Sequence, residues 1–236
     1  MPDETSLSSH QDPTATAIAR RPSGSAREAL RSATGAAHLR LHAIPAFHAL
    51  AEGRLPRDDY AALLQRSLGF HAALEARLAE APRLSAYGID LEARRRTPLL
   101  RADLAWLGVP DRVGMAELAP FPNAEAALGG LYVAEGSTLG GRLLSRGLDG
   151  ILPPGLEGRR FLLGHGERHA RMWRDCCAAI ERGGATEAGR SAMIGGAIAT
   201  FCAFEAWFSA ADRPESGARA GRGQPVASFS SSPLPP

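Results

Sequence analysis

A histidine and an arginine on one predicted helix form the first group of residues that could carry chemistry. Arg31, Thr34, His38 and His42 follow one another at spacings of three, four and four residues, which places them on one face of an α-helix. An imidazole on an amphipathic helix is a suitable axial ligand for heme iron. A guanidinium two turns away, about 10 Å along the axis, can pair with a carboxylate of such a ligand.

The same spacing fits a simpler interpretation, in which His38 is a buried, hydrogen-bonded histidine of the core and Arg31 is a surface charge. Spacing does not separate the two histidines either, because His42 lies one turn after His38. The pattern by itself therefore leaves three alternatives open: iron ligation by His38, iron ligation by His42, or a structural role.

A second segment, residues 128–144 (LGGLYVAEGSTLGGRLL), combines a helical pattern with an unusual number of glycines. Glycine inside a helix costs about 1 kcal/mol relative to alanine, so we expect a compensating role. Gly136 and Gly140 share a face on which a flat ligand could approach the backbone closely. Close helix packing is the alternative. A phosphate loop is excluded, because the segment has no GxxxxGK[ST] pattern and no preceding strand.

The elements that must position these residues are predicted to be helices. Ser25 is a predicted N-cap with Glu28 three residues later, as in a capping box. Apolar residues recur at helical spacing, whereas alternating strand patterns are nearly absent. The predicted fold class is therefore all-α, a single-domain multi-helix bundle. Its predicted helices cover 25–43, 46–52, 56–79, 91–107 with an interruption at Pro98, 123–147, 158–182 and 186–210.

The ends of the chain differ in composition from this body. Residues 1–24 and 213–236 are rich in small and polar residues and proline, without a period, so we expect disordered tails flanking a folded domain at 25–212. The stretch 192–211 is apolar enough to raise the question of a membrane span. Glu205, Thr200 and two glycines interrupt it, and a buried helix of a soluble protein is our prediction.

Charge and cysteine content exclude several classes of function. All 27 basic residues are arginines, and 25 acidic residues reduce the net charge to +2, which gives no broad field for nucleic acid or a membrane. Three cysteines, two of them adjacent, fit neither a disulfide framework nor a zinc finger, and we expect a cytoplasmic protein. The run of arginines at 94–96 is interpreted as a solvated face.

Taken together, these segments resemble the heme oxygenase family, particularly its bacterial branch that accompanies phytochromes. The resemblance is carried by LRSATGAAHLRLH (30–42), LGGLYVAEGSTLGGRLL (128–144) and GHGERHARMW (164–173), and weaker matches extend it over most of 25–210. It implies an all-α heme oxygenase-like bundle. The implied activity is the oxidative cleavage of heme to biliverdin, CO and ferrous iron, with O₂ and external electrons.

The resemblance also implies roles for particular residues on the two faces of the heme. His38 matches the proximal histidine that ligates the iron. Gly136, Gly140 and Gly141 match the glycines of the distal helix that lie over the other face. Ser137 falls where animal members carry a carboxylate that orders distal water, so the water network is expected to differ here.

The implied contacts to the heme edge are basic. Arg31 falls where a partner of a heme propionate is often found, and Thr34 belongs to the same group of expected heme-binding residues. Arg174 matches a second propionate position, for which Arg168 and Arg171 are alternatives.

The expected partners follow from the same resemblance. Because the chain has no GxGxxG pattern and no cluster of cysteines, we expect no intrinsic flavin or NAD site. The electron donor would then be a separate ferredoxin or flavoprotein reductase. A bacteriophytochrome is the expected acceptor of biliverdin, and neither nucleic acid nor a membrane is an expected partner. The alternative function is a non-catalytic carrier or sensor of heme or bilin on the same fold.

Overall fold

The computed structural model describes residues 24–209, and its framework is helical. Within that range eight α-helices and three short 3₁₀-helices form and no residue lies in a β-strand, which confirms the all-α prediction. The α-helices are α1 (Ala26–His42), α2 (Pro45–Ala51), α3 (Arg57–Glu80), α4 (Thr97–Leu107), α5 (Ala124–Leu144), α6 (Arg160–Leu163), α7 (Arg168–Gly183) and α8 (Glu187–Ser209), and the 3₁₀-helices are Leu84–Tyr87, Glu92–Arg94 and Ser145–Leu148. The predicted tails lie outside the described residues, apart from Gly24, and the domain boundaries stay a prediction.

Two of the predicted helices are divided in the structure. The predicted helix at 91–107 is a 3₁₀-helix followed by α4, which starts next to Pro98 because proline fits the first turn of a helix. The predicted helix at 158–182 is split into α6 and α7. Gly164 and Gly166 between them have φ angles of +69° and +60°, a conformation that glycine adopts without strain. The other predicted helices agree with the structure to within three residues at each end.

Helix α8 supports both of the segments that were singled out in the sequence. It packs most extensively on α5 and next on α1, whereas α1 and α5 have little direct contact. The backbones of α5 and α8 touch: a Cβ on Gly129 would lie 2.0 Å from the Met193 carbonyl oxygen, and a Cβ on Gly196 would lie 2.0 Å from the Ala126 carbonyl oxygen. The relative position of α1 and α5 is therefore set largely through α8.

By length and composition, α8 is the one helix in the described part of the chain that could cross a membrane. Its core residues give another reason for the apolar sequence, because Met193, Ala197, Phe201 and Phe208 are buried among the other helices. The core helix of a soluble protein has the same composition.

The N-terminus of α1 is fixed by α7. Ser25 is the N-cap, as predicted, and its hydroxyl accepts a hydrogen bond from the Glu28 N–H. Glu181 of α7 accepts from the Ser25 hydroxyl and from the first two backbone N–H groups of α1, at 2.6, 3.0 and 3.1 Å. These N–H groups have no partner within the helix. Burial alone would raise the pKa of Glu181, but these hydrogen bonds hold it below its ordinary value of 4.5.

We expect Glu181→Gln to lower the free energy of unfolding at pH 7 by about 1 kcal/mol, the usual worth of a cap, and to have no effect in acid. The folded-state pKa of Glu181 is lowered. The charged form therefore contributes stability that is fully present above the unfolded pKa and is lost as the pH falls through the folded pKa. Urea denaturation of both proteins across this range measures the difference. Glu117→Gln, at an exposed position, is the control, and a difference that persisted at low pH would contradict the expectation.

Candidate functional site

The His38 imidazole lies on an exposed face of α1 and touches two rings. The ring of His42 is edge-on at a centroid distance of 4.9 Å, and that of Phe201 on α8 is at 6.4 Å. Although His38 reaches solvent, its neighbours partly desolvate it, and this desolvation together with His42 lowers the pKa of His38. Its imidazole is therefore neutral at neutral pH, which is the form that binds metals. The alternative of a buried core histidine does not fit this position.

The exposed face of α1 continues from His38 toward the N-terminus. Arg31 is exposed on it, and a Cβ on Gly35 would meet no atom within 4 Å. Gly35 was not singled out in the sequence, where a lone glycine inside a helix was the available signal. Thr34 is buried instead. It donates to the Leu30 carbonyl at 2.7 Å and is hydrogen-bonded to Tyr132 of α5, so it ties α1 to α5.

One side of α5 is also uncovered, and we call it the open strip: Gly136, Leu139, Gly140 and Leu143. Its leucines are 54% and 65% exposed. A Cβ on Gly140 would meet no atom within 4 Å, and one on Gly136 would meet only the Trp173 ring, at 4.0 Å. A surface that is apolar and poor in side chains suits a flat, apolar ligand.

The other glycines of α5 serve helix packing. A Cβ on Gly129, Gly130 or Gly141 would lie 2.0, 2.4 or 2.7 Å from its nearest neighbouring atom. Both sequence-based interpretations of this segment therefore hold, each for different glycines. Gly141, which was expected over the heme, packs on the Leu162 backbone on another side of α5 from the open strip.

The remaining predicted site residues lie at the surface. Ser137 is exposed, and its hydroxyl donates to the Ala134 carbonyl at 2.7 Å, which leaves its lone pairs available to water. Arg174 on α7 is exposed. Neither Arg174 nor Arg31 forms an ion pair within residues 24–209, so both guanidiniums are available to an external carboxylate.

Buried arginines hold α5 through Glu135 and Thr138, which lie outside the open strip. Arg94 pairs with Glu135 at 3.0 Å, and both side chains are less than a tenth exposed. Arg96 donates to the Thr138 hydroxyl and to the Phe161 carbonyl, each at 2.5 Å. Burial lowers the pKa of Arg96 to about 10 and raises the pKa of Glu135. Arg96 stays charged, and α5 is bound to the segment before α4 and to α6.

The interpretation of the run at 94–96 as a solvated face is wrong for two of its three residues. Only Arg95 is partly exposed, at 38% of its side chain. The chain turns here because Glu75 of α3 accepts hydrogen bonds from the backbone N–H groups of Arg96 and Thr97, at 2.6 and 2.9 Å. A run of three arginines does not indicate this turn, because the turn depends on Glu75 in another helix.

A cavity of 310 Å³ adjoins this buried cluster. Its lining includes His71, Glu75, Arg94, Arg96 and Glu135. Burial and the charge of Arg96 lower the pKa of His71 to about 3, so His71 is neutral. Because neither His38 nor Gly140 lines this cavity, it is separate from the open strip.

Comparison with known proteins gives concordant results. The heme oxygenase family model matches residues 25–210. A heme oxygenase of Xanthomonas campestris pv. campestris (strain 8004) is 35% identical over 166 residues, which are 70% of this chain and 98% of that protein. A crystal structure of the NO- and CO-bound heme oxygenase from Neisseria meningitidis has a TM-score of 0.65 at 23% identity, covering 82% of this chain and 98% of that one. The last similarity concerns the fold alone.

We expect Gly140→Ala to leave the fold intact and to weaken heme binding. The added methyl group would meet no atom within 4 Å, and alanine is favoured in a helix by about 1 kcal/mol, so Tm should be unchanged or higher. The same methyl group would occupy the open strip. Thermal unfolding and a hemin titration measure the two effects.

Gly129→Ala is the matched control, because its methyl group would lie 2.0 Å from the Met193 carbonyl oxygen. We expect it to lower the free energy of unfolding by about 2 kcal/mol through overpacking. If Gly140→Ala bound hemin as tightly as the unaltered protein, the open strip would not be the heme-facing surface.

We expect Arg96→Met to lower the free energy of unfolding by about 3 kcal/mol, because Thr138 and the Phe161 carbonyl would lose a charged donor in a buried place. Arg95→Met is the control, since a partly exposed ion pair contributes at most about 1 kcal/mol. Urea denaturation of both variants tests this, and equal losses would show that the buried hydrogen bonds do not hold α5.

Proposed function

The chain belongs to the heme oxygenase family, and from that premise we propose that His38 ligates the iron of a heme lying between α1 and the open strip of α5. The protein is a heme oxygenase: heme is its substrate, and a reductase supplies its electrons. The observation that carries the placement is an exposed imidazole and an exposed glycine–leucine strip on two helices that both pack on α8.

The described residues fit a heme in three respects. The His38 ring is exposed, and no hydrogen bond within residues 24–209 engages it, so a nitrogen is free to bind iron. The open strip has no Cβ at Gly136 or Gly140 and offers two exposed leucines to an apolar ring. Arg31 and Arg174 offer unpaired guanidiniums to propionate carboxylates.

Bound heme supplies both the iron at which O₂ is activated and the macrocycle that is opened to biliverdin, with release of CO and ferrous iron. His38 would hold the iron through a neutral nitrogen, which does not push electron density as a thiolate would. Gly136 and Gly140, which have no Cβ, would leave room for a diatomic molecule at the surface of α5. The exposed Ser137 hydroxyl, which donates to the Ala134 carbonyl, would accept hydrogen bonds from water at the surface of α5.

Two of the expected heme contacts take supporting roles in this proposal. Thr34 fixes α1 against α5 through Tyr132, and Gly141 lets α5 approach α6. Neither touches the heme directly. Arg31 and Arg174 are the proposed propionate partners, and Arg168 and Arg171 remain alternatives to Arg174.

For the partners, the proposal follows the sequence resemblance. The electron donor is a ferredoxin or a flavoprotein reductase, since the chain has no GxGxxG pattern for a flavin or NAD of its own. A bacteriophytochrome receives the biliverdin, which is supported by the match of segments 30–42 and 128–144 to that branch. A cytoplasmic location agrees with three free cysteines.

We expect His38→Ala to lower heme turnover by roughly a hundredfold or more, because loss of an iron ligand exceeds the usual effect of losing its supporting contacts. His42→Ala is the matched control one turn away and should keep the Soret spectrum. Hemin titration followed by single-turnover assays measures both. Full turnover in His38→Ala together with its loss in His42→Ala would assign the iron to His42.

The overall activity is tested with purified protein, hemin, air and a reductase or ascorbate. The Soret band should decay while biliverdin forms, identified by chromatography. An intact heme spectrum after prolonged reduction in air would favour the alternative of a non-catalytic carrier or sensor.

A further inference from the structure

Trp173 of α7 stands at the edge of the open strip. Its ring atom Cη2 lies 4.0 Å from the position that a Cβ would take on Gly136. The Tyr132 ring packs beside it at a centroid distance of 5.9 Å and an interplanar angle of 37°. Trp173 is half-buried, so part of its ring faces outward. The two rings form a rigid aromatic wall next to Gly136.

Contacts along α7 place this wall against α1. Glu181 binds the first turn of α1, and Arg27 is hydrogen-bonded to the Cys177 sulfur one turn earlier on α7. Trp173 lies one turn before Cys177 on the same face of α7. Tyr132, which packs beside Trp173, is hydrogen-bonded to Thr34 of α1. The wall therefore closes the space between α1 and α5 on the side of α7, level with Arg31 and Thr34.

A ligand bound through one imidazole nitrogen still has a rotational freedom. The bond to His38 fixes the centre of the macrocycle but not its rotation within its own plane. Arginine side chains that pair with propionates are long and flexible, and an exposed ion pair contributes at most about 1 kcal/mol. The open strip consists of glycines and leucines, which offer no polar side chain to fix the rotation. A bulky ring at the edge is the feature that can stop the rotation sterically.

We propose that Trp173, backed by Tyr132, is a specificity-determining residue that sets the in-plane seating of the heme and thereby selects the meso carbon that is cleaved. This inference rests on the proposed function, since it takes His38 as the iron ligand and the open strip as the heme-facing surface. Tyr132 acts through Trp173 and is a positioning residue.

The test compares Trp173→Ala and Trp173→Phe with the unaltered protein, and Trp106→Ala is the matched control. Trp106 is partly exposed, at 37%, and lies on α4 against Gly158, away from the open strip. The first readout is the ratio of biliverdin isomers by chromatography. The second needs no turnover: the hyperfine-shifted heme methyl resonances of the ferric cyanide complex report the in-plane orientation of the heme.

We expect Trp173→Ala to raise the share of minor isomers by about fivefold, because an aromatic contact contributes about 1 kcal/mol. A second set of heme methyl resonances should appear, with an intensity that follows the share of minor isomers. Trp173→Phe should give an intermediate ratio, and Trp106→Ala should match the unaltered protein. Urea denaturation identifies any variant that fails to fold, and Trp173→Phe then carries the test.

An unchanged isomer ratio and unchanged methyl resonances in both Trp173 variants would overturn the proposal. The same shift in Trp106→Ala would overturn it too, since the effect would not be local to the wall. Failure of the proposed function looks different: the unaltered protein would bind hemin without forming biliverdin, or would bind it without His38. If hemin binds without forming biliverdin, the heme methyl resonances still show whether Trp173 sets the in-plane orientation of the heme.

Discussion

The candidate site depends on buried hydrogen bonds from two arginines to a helix that is intrinsically weak. Glycines at five positions of α5 each cost about 1 kcal/mol of helical preference. The pairs Arg94–Glu135 and Arg96–Thr138 hold two of its buried residues, and α8 packs closely along it. Buried charges are costly unless they are paired, so each partner requires the other. A helix held by these contacts can leave the residues of the open strip without neighbours.

Local signals in the sequence are sufficient for α1. The cap at Ser25 and the spacing of Arg31 and His38 depend only on residues within a few turns. The structure shows the cap and exposes Arg31 and His38, whereas Thr34 of the predicted face is buried. For the glycines of α5, partners that are distant in the sequence decide which ones pack against another helix and which ones stay exposed. Gly129 and Gly140 carry the same letter, yet one touches the Met193 carbonyl oxygen and the other touches nothing, because α8 lies on one side of α5 only.

The arginine run at 94–96 shows that the burial of charged residues is also not predictable from local sequence. Whether a guanidinium at 94–96 faces water or the core depends on a turn imposed by Glu75, which is about twenty residues earlier on α3. In α8, likewise, an apolar sequence typical of a membrane span serves contacts with α1 and α5. In both cases the deciding partner lies outside the segment, where pattern analysis does not reach.

The Glu181 carboxylate has a practical consequence for handling the protein. It accepts hydrogen bonds from the first turn of α1, and His38 follows about three turns later. An affinity tag or a fused domain joined ahead of Gly24 would be attached next to the N-terminus of α1, which is already hydrogen-bonded to α7. The portion of α1 that carries His38 is therefore separated from any upstream attachment by the turn that Glu181 holds.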